Sequence, residues 1–505
     1  MVTAAAALAA GVPVWAQGPV PQGQEFRVNT FTTDTQIDPA VAMDADGDFV
    51  VVWTSGGPSG AGQDGASDGV YGQRYDAGGA PLGEEFRVNT FTTNSQSGPA
   101  VAMDADGDFV VAWHSGFQEG NWYEIYAQRY DAAGVPQGAE FRVNTHTTSS
   151  QLEPAVAMDA DGDFVVAWQS FQQDGNRTGI YAQRYDAAGV PLGLEFQVNT
   201  HTTGYQSRPA VGMDADGDFV VAWDTESETP GSFYDVYGQR YAAAGVPQGG
   251  EFRVNAATTN WQSRPAVGMD AGGDFVVVWA SNRTSNGGWG AFAQRYDAAG
   301  VPVGAEFRAT SSASHNQFPG VGMDADGDFV VASYSDGEDG SFYGVYAQQY
   351  DAEGSPRGPE FRVNTYTMGN QTRPAVGMDA DGDFVVVWTG QGADDSSSSG
   401  VYGQRYAAGS VAVEPGTAAG LSLSVAPSPV VGSVGRVRYA VPETGRVRLA
   451  AYDVLGREVA VLADGVVGVG AHEAALEASA LPAGVYVLRL EAGGEALVRR
   501  VSVAR

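Results

Sequence analysis

A unit of about 55 residues recurs seven times along this 505-residue chain, and that repetition constrains the fold more than any other feature. The unit runs near G-x-EFRVNT-x-TT-x-x-Q-x-x-PAVAMDADGDFVVVW, then a variable stretch, then GVYAQRYDAAGVPLG. Its first phenylalanine falls at Phe26, Phe86, Phe141, Phe196, Phe252, Phe307 and Phe361. The DADGD turn begins at Asp44, Asp104, Asp159, Asp214, Asp270 (as DAGGD), Asp324 and Asp379. A Q-R/Q-Y tripeptide ends at Tyr75, Tyr130, Tyr185, Tyr241, Tyr296, Tyr350 and Tyr406.

Each unit reads as four short strands. In the first, Pro39–Asp44 is small and apolar, Asp48–Trp53 is β-branched and aromatic, and Val70–Tyr75 and Glu25–Asn29 alternate. Asp-Gly and Gly-x-Pro supply the turns. No helical periodicity interrupts them. The reading is an all-β chain whose residues 24–406 form a seven-bladed β-propeller of four-stranded blades. The array starts with an EFRVN strand and finishes with a QRY strand, so pairing Glu25–Asn29 with Val401–Tyr406 would close the ring and remove an open edge. An open β-solenoid is the alternative, and it gains nothing from that offset.

Two recurring columns look structural. Trp53, Trp113, Trp168, Trp223, Trp279 and Trp388 end the second strand and suit the wedge between blades, with Ser333-Tyr334 breaking the series. Gln36, Gln96, Gln151, Gln206, Gln262 and Gln371 stand three residues before Pro and should satisfy backbone groups between blades; the sixth repeat slips to Asn316-Gln317-Phe318-Pro319.

The two faces differ in chemistry. One repeats DADGD, so Asp44, Asp46, Asp48 and their equivalents are weak calcium candidates; a tight hairpin with Asp at its turn positions explains them fully. No other cofactor is expected. The opposite face carries variable loops holding Trp122, Tyr123, Phe233, Tyr234, Trp289, Phe342 and Tyr343, aromatics suited either to stack on sugars or grip a peptide, or to cap blade edges. The residue before each inner strand also varies: Asp38, Gly98, Glu153, Arg208, Arg264, Phe318 and Arg373. In a propeller this column rings one mouth of the central channel. Arg208 and Arg264 on adjacent blades could hold a carboxylate or sulfate there, unless they are solvated charges at a loop end.

No catalytic constellation is recognisable. The five histidines, His114, His146, His201, His315 and His472, are scattered, cysteine is absent, and neither H-E-x-x-H nor a phosphate-cradling glycine loop occurs. The chain is therefore expected not to be an enzyme, with a polysaccharide-active enzyme as an alternative. The absence of cysteine also excludes disulfides. The net charge of −33 falls entirely on residues 1–420, since residues 421–505 are almost neutral; so acidic a domain should repel nucleic acid and anionic membranes. No stretch has the length and hydropathy of a transmembrane helix.

Both ends read as export signals. Residues 1–16 are apolar and Ala-rich, and Val14-Trp15-Ala16 before Gln17 fits signal-peptide cleavage, although the basic n-region is missing. After a linker at 407–420, seven short strands at Leu421–Val425, Val437–Val441, Val447–Val454, Glu458–Leu462, Ala471–Leu476, Val485–Glu491 and Leu497–Val503 suggest an immunoglobulin-like sandwich. Residues 421–505 carry Ala426-Pro427-Ser428-Pro429, Tyr439-x-x-Pro442, VRLAAYDVLGR at 447–457, Gly470-Ala471-His472, LPAGVYVL at 481–488 and a basic end at Arg499-Arg500. In that order they resemble the type A C-terminal sorting domain of the bacterial type IX secretion system. Ser428 stands where that family more often has Asn, and Arg499 and Arg500 where it has Lys. The resemblance implies passage through the type IX machinery to the outer surface of a Gram-negative cell. Pro427, Pro429, Gly456, Arg457, Gly484 and Tyr486 would belong to the sorting signal. The repeats resemble an uncharacterised repeat type of large secreted bacterial proteins. The expected function is a secreted or cell-surface monomer that binds extracellular glycan or protein, surface polysaccharide included; a structural or adhesive component without a small ligand is the other alternative.

Overall fold

The computed structural model describes residues 19–56, 62–120, 122–226, 232–283, 288–311, 317–337, 340–391, 399–407, 422–426, 435–441, 444–453, 457–476, 481–482, 484–493 and 495–503. The candidate signal peptide and most of the linker lie outside them. The chain divides into two compact units, Met1–Gly409 and Ser410–Arg505. Among the described residues every regular element is a β-strand.

The first unit repeats one antiparallel sheet. In the first repeat Thr35–Met43, Phe49–Gly56, Gly69–Tyr75 and Phe86–Arg87 pair in chain order. Later repeats follow the same order, and a short parallel pairing of Ser232 and Tyr234 with Asn260 and Trp261 joins the fourth sheet to the fifth. The last set, Gln371–Met378, Phe384–Gly390 and Gly400–Ala407, takes its outer strand from Val20–Arg27 near the N-terminus. Inner strands pack in cyclic order, and Thr35–Met43 touches both Gln96–Met103 and Gln371–Met378. The architecture is that of a β-propeller.

The second strand explains why the sheets stack. Side chains alternate between faces, so a strand buried on both faces must be apolar throughout. Phe49, Val51 and Trp53 join Val385, Val387 and Val401 of the last sheet, while Val50, Val52 and Val70 join Phe109, Val111 and Trp113 of the next. The tryptophans at these positions are fully buried. Phe49 stacks on Tyr75 with centroids 4.7 Å apart, and the pair recurs in every repeat.

The structure corrects two details of the sequence reading. Five of the outer strands are only two residues long, such as Phe86–Arg87, not the five of EFRVN. The asparagine side chain displaces the ladder there: Asn89 Oδ1 accepts the Val70 N–H at 2.7 Å and its amide donates to Phe91 O. The conserved-looking glutamine serves its own sheet more than the gap between sheets. Gln36, Gln151, Gln262 and Gln371 accept the indole N–H of Trp53, Trp168, Trp279 and Trp388 at 3.0–3.1 Å, and their amides donate to nearby loop carbonyls.

Two polar contacts bind neighbouring sheets. Arg74 donates to the carbonyls of Ala132 and Ala133 in the next repeat's hairpin, Arg129, Arg184, Arg240 and Arg295 repeat the contact, and Arg405 makes it to Ala77 and Gly78. Gln349 holds that column in the sixth repeat. Glu85 accepts the Thr30 N–H at 2.7 Å, and Glu25 accepts that of Thr365 across the closure.

In the second unit the strands form a three-stranded sheet, ordered Ser422–Ala426, Gly435–Val441, Gly470–Leu476, and a four-stranded one, ordered Glu458–Val467, Gly445–Asp453, Gly484–Ala492, Glu495–Val503. Val437, Tyr439, Leu449, Leu488 and Leu490 share one core between them. Tyr486 is buried and donates to Pro482 O at 2.7 Å, while Arg457 is exposed. Gly484 opens its strand, and Pro427, Pro429 and Gly456 fall outside the described residues.

Candidate functional site

Two cavities lie at the ends of the inner strands, and one inner-strand irregularity separates their chemistry. Each inner strand slips register against its neighbour just before the proline, for example between Ile37 and Ala40. Such bulges bend a strand and re-aim a side chain. The bulged residues Asp38, Gly98, Glu153, Arg208, Arg264, Phe318 and Arg373 all have φ between 52° and 61°. Only one of the seven is glycine, so six side chains sit on left-handed backbone, a conformation that costs roughly 1–2 kcal/mol each.

These residues and the prolines after them line a cavity of about 320 Å3, with Gly98 represented by Pro99. The column read from the sequence lines this cavity. The charges around it are organised. Asp38 pairs with Arg373. Arg208 Nη1 meets Asp224 Oδ2 at 2.8 Å, and Asp224 Oδ1 accepts the backbone N–H of Arg264 at 2.8 Å. Asp224 is fully buried; burial pushes its carboxyl up to about 7 against the pull of Arg208. Equivalent positions in other sheets hold Thr54 and Thr389, whose hydroxyls accept the N–H of Gly98 and Asp38. The Arg264 guanidinium lies 3.4 Å from the Phe318 ring centroid, and that of Arg373 5.5 Å. Phe318 stacks on Tyr334, which meets Tyr343 edge-on at 5.3 Å.

The structure thus brings Arg208, Arg264 and Arg373 together. It also separates their roles, because Arg208 and Arg373 have carboxylate partners. The loop aromatics are dispersed. Trp122 is 47% exposed, and Tyr123 contacts Phe117 and His114. Phe233 and Tyr234 both stack on Trp261, at 5.2 and 4.9 Å. Phe342 is 66% exposed, and Trp289 is half-buried before Gly290–Tyr296. Sequence reasoning placed Phe318 in the column without its stacking role, and missed Trp261, Asp224 and Tyr334 as parts of the site. Their signal was departure from the repeat: Asp224 and Tyr334 stand where other units have Thr, His, Gln or Ala.

His114 fills the space below Gly98, its Nε2 2.9 Å from Ser97 Oγ, and burial pushes its imidazole down to about 4.

The opposite cavity, of about 180 Å3, is lined by Met43, Asp44, Ala45 and their six equivalents. Asp44 Oδ1 accepts the N–H groups of Asp46 and Asp48 at 3.0 and 2.9 Å, and Asp48 Oδ1 accepts that of Ala77. These carboxylates tie hairpins together. Among the described residues no group of three or more acidic or histidine side chains is arranged to hold a metal ion.

No family model matches the chain, and no curated protein does. Solved structures do. A protein of unknown function from Dyadobacter fermentans shares 11% identity over 77% of this chain and 99% of its own, with a TM-score of 0.46. The β-propeller domain of the Trilobed protease from Pyrococcus furiosus, described as having an open velcro topology, shares 12% over 72% and 92%, at 0.41. A Penicillium chrysogenum α-L-arabinanase complexed with arabinobiose shares 14% over 61% and 92%, at 0.41. Further arabinanases and arabinofuranosidases match as well. These likenesses concern the fold alone. They nevertheless overturn the expectation that the chain is not an enzyme, which rested on finding no catalytic motif: glycoside hydrolases stand among the neighbours, so a propeller without such a motif is no ground for excluding catalysis.

Proposed function

We propose that this chain is a seven-bladed β-propeller followed by an immunoglobulin-like sorting domain, exported to the outer cell surface, where it binds extracellular glycan or protein at the proline-lined mouth. The carrying observation is the set of six side chains held on left-handed backbone around one cavity. Strain of that kind persists where the surrounding structure over-determines it, and it concentrates at functional sites. The fixed scaffold beneath and the variable loops around the mouth suit recognition. Exposed Trp122, Phe233 and Phe342 add apolar faces of the type that sugars pack against. A glycan array probed with the purified chain should give discrete hits. Arg264→Ala or Trp122→Ala should weaken them by about tenfold; an array without hits, alongside no captured surface protein, refutes the reading.

The sorting-domain resemblance and the seven strands after residue 421 support the export route. Deleting residues 421–505 should leave the protein in the periplasm. Normal surface display of the truncated chain, assayed by protease accessibility on whole cells, refutes that route.

A further inference from the structure

At the proline-lined mouth two ionic side chains stand apart from the pairs around them. Arg208 is held by Asp224 and Arg373 by Asp38. The Arg264 guanidinium makes no ion pair with a carboxylate among the described residues; its fixed contact is the Phe318 ring at 3.4 Å. Stacking immobilises the plane of the guanidinium while leaving its edge of N–H donors free, which suits bidentate capture of a carboxylate or sulfate. Glu153, on the same cavity wall, is exposed and likewise lies outside the ion pairs among the described residues. The same cavity is lined by a collar of prolines, one from each inner strand, apolar and without N–H groups.

Resting on the binding function proposed above, we propose that the mouth takes one acidic sugar unit, its carboxylate or sulfate on Arg264, its hydroxyls on Glu153 and its C–H face against the proline collar. Each part of the cavity then has a partner. A hydroxyl donates to a carboxylate, which only accepts; an acidic peptide side chain offers no such donors for Glu153. A cavity of about 320 Å3 is near the small end of ligand sites, matching a single ring at a chain end rather than a long oligomer.

Calorimetric titration of the full chain with glucuronate, glucose 6-sulfate, glucose and an Asp-Glu peptide tests this. Glucuronate or the sulfate ester should bind, and the stronger of the two identifies the anion; glucose should not. Arg264→Ala should weaken binding about tenfold or more, Arg264→Lys less, and Glu153→Gln several-fold. Arg489→Ala, which removes a guanidinium from the other unit, should leave affinity unchanged. Melting curves of each variant verify that it is folded, and Arg264→Lys keeps the charge if Arg264→Ala is unstable. Binding of the peptide alone, or acid-sugar binding indifferent to both Arg264 variants, overturns the proposal. Neutral-glycan hits on the array that survive Arg264→Ala but fall with Trp122→Ala would overturn it while leaving the glycan-binding function standing.

Discussion

Deleting residues 19–27 should lower the melting temperature of the repeat unit by about 6 °C, a loss on the order of 5 kcal/mol. Val20–Arg27 is the outer strand of the last sheet, pairing Phe26 with Gly403 and Arg27 with Tyr402. The Phe26 ring covers Gly403 so closely that a Cβ there would lie 2.8 Å from it, and its centroid is 5.4 Å from that of Tyr75 in the first repeat. Glu25 ties the strand to Thr365. Removal loses those contacts and opens the edge of Gly400–Ala407, whose free backbone groups invite association between molecules. A synthetic peptide of residues 19–31 should restore much of the melting temperature when added in excess. Deleting residues 422–505 should leave the melting of the repeat unit nearly unchanged. If the chain lacking residues 19–27 melts with the intact protein, the closure carries no stability.

Stability of the same unit should fall by several degrees in melting temperature between pH 5 and pH 8. The cause is the set of aspartates at the narrower cavity. Burial, partly opposed by the turn N–H groups, pushes Asp44, Asp104 and Asp270 up to about 6, Asp324 and Asp379 up to about 7, and Asp159 and Asp214 in the same direction, from an ordinary 3.8. Between pH 4 and 7 the folded chain therefore holds protons that the unfolded chain has released. Stability from these groups is fully present below about pH 4 and is lost as pH rises through 6 to 7. Self-repulsion within a chain of net charge −33 acts in the same direction. Replacing Asp324 and Asp379 with Asn keeps the Oδ1 acceptor for each turn and removes two titrating groups, so the slope should flatten. A melting temperature that climbs from pH 5 to pH 8 contradicts this account.

The repeat was legible because its recurring residues are packing residues. A strand reading DFVVVW has one buried explanation, and seven copies multiply it. The outer strands were overestimated because Val28-Asn29 has the composition of a strand, while Asn29 hydrogen-bonds as a side chain to the Val401 N–H. The mouth was legible as a column, since position is a property of the repeat. Its internal chemistry was not. That Asp224 bridges Arg208 to the Arg264 backbone, and that Phe318 clamps Arg264, depends on neighbours in different repeats, with Asp224 and Arg264 40 residues apart. The bulge was also hidden, because a left-handed Arg or Phe before Pro has no sequence signature of its own.

The arginine-to-hairpin contact runs one way, from each repeat to the one ahead, so the molecule has a sense of rotation, like a circle of hooks and eyes. Arg405 carries the last hook over to Ala77 and Gly78. The exception is Gln349. In the repeat ahead of it the outer strand arrives from the other end of the chain. A neutral residue in one basic column thus records where the circle was cut. A circular permutant that joins the old ends and cuts elsewhere would need Gln349→Arg to mend the old seam, and would leave an idle arginine at the new one.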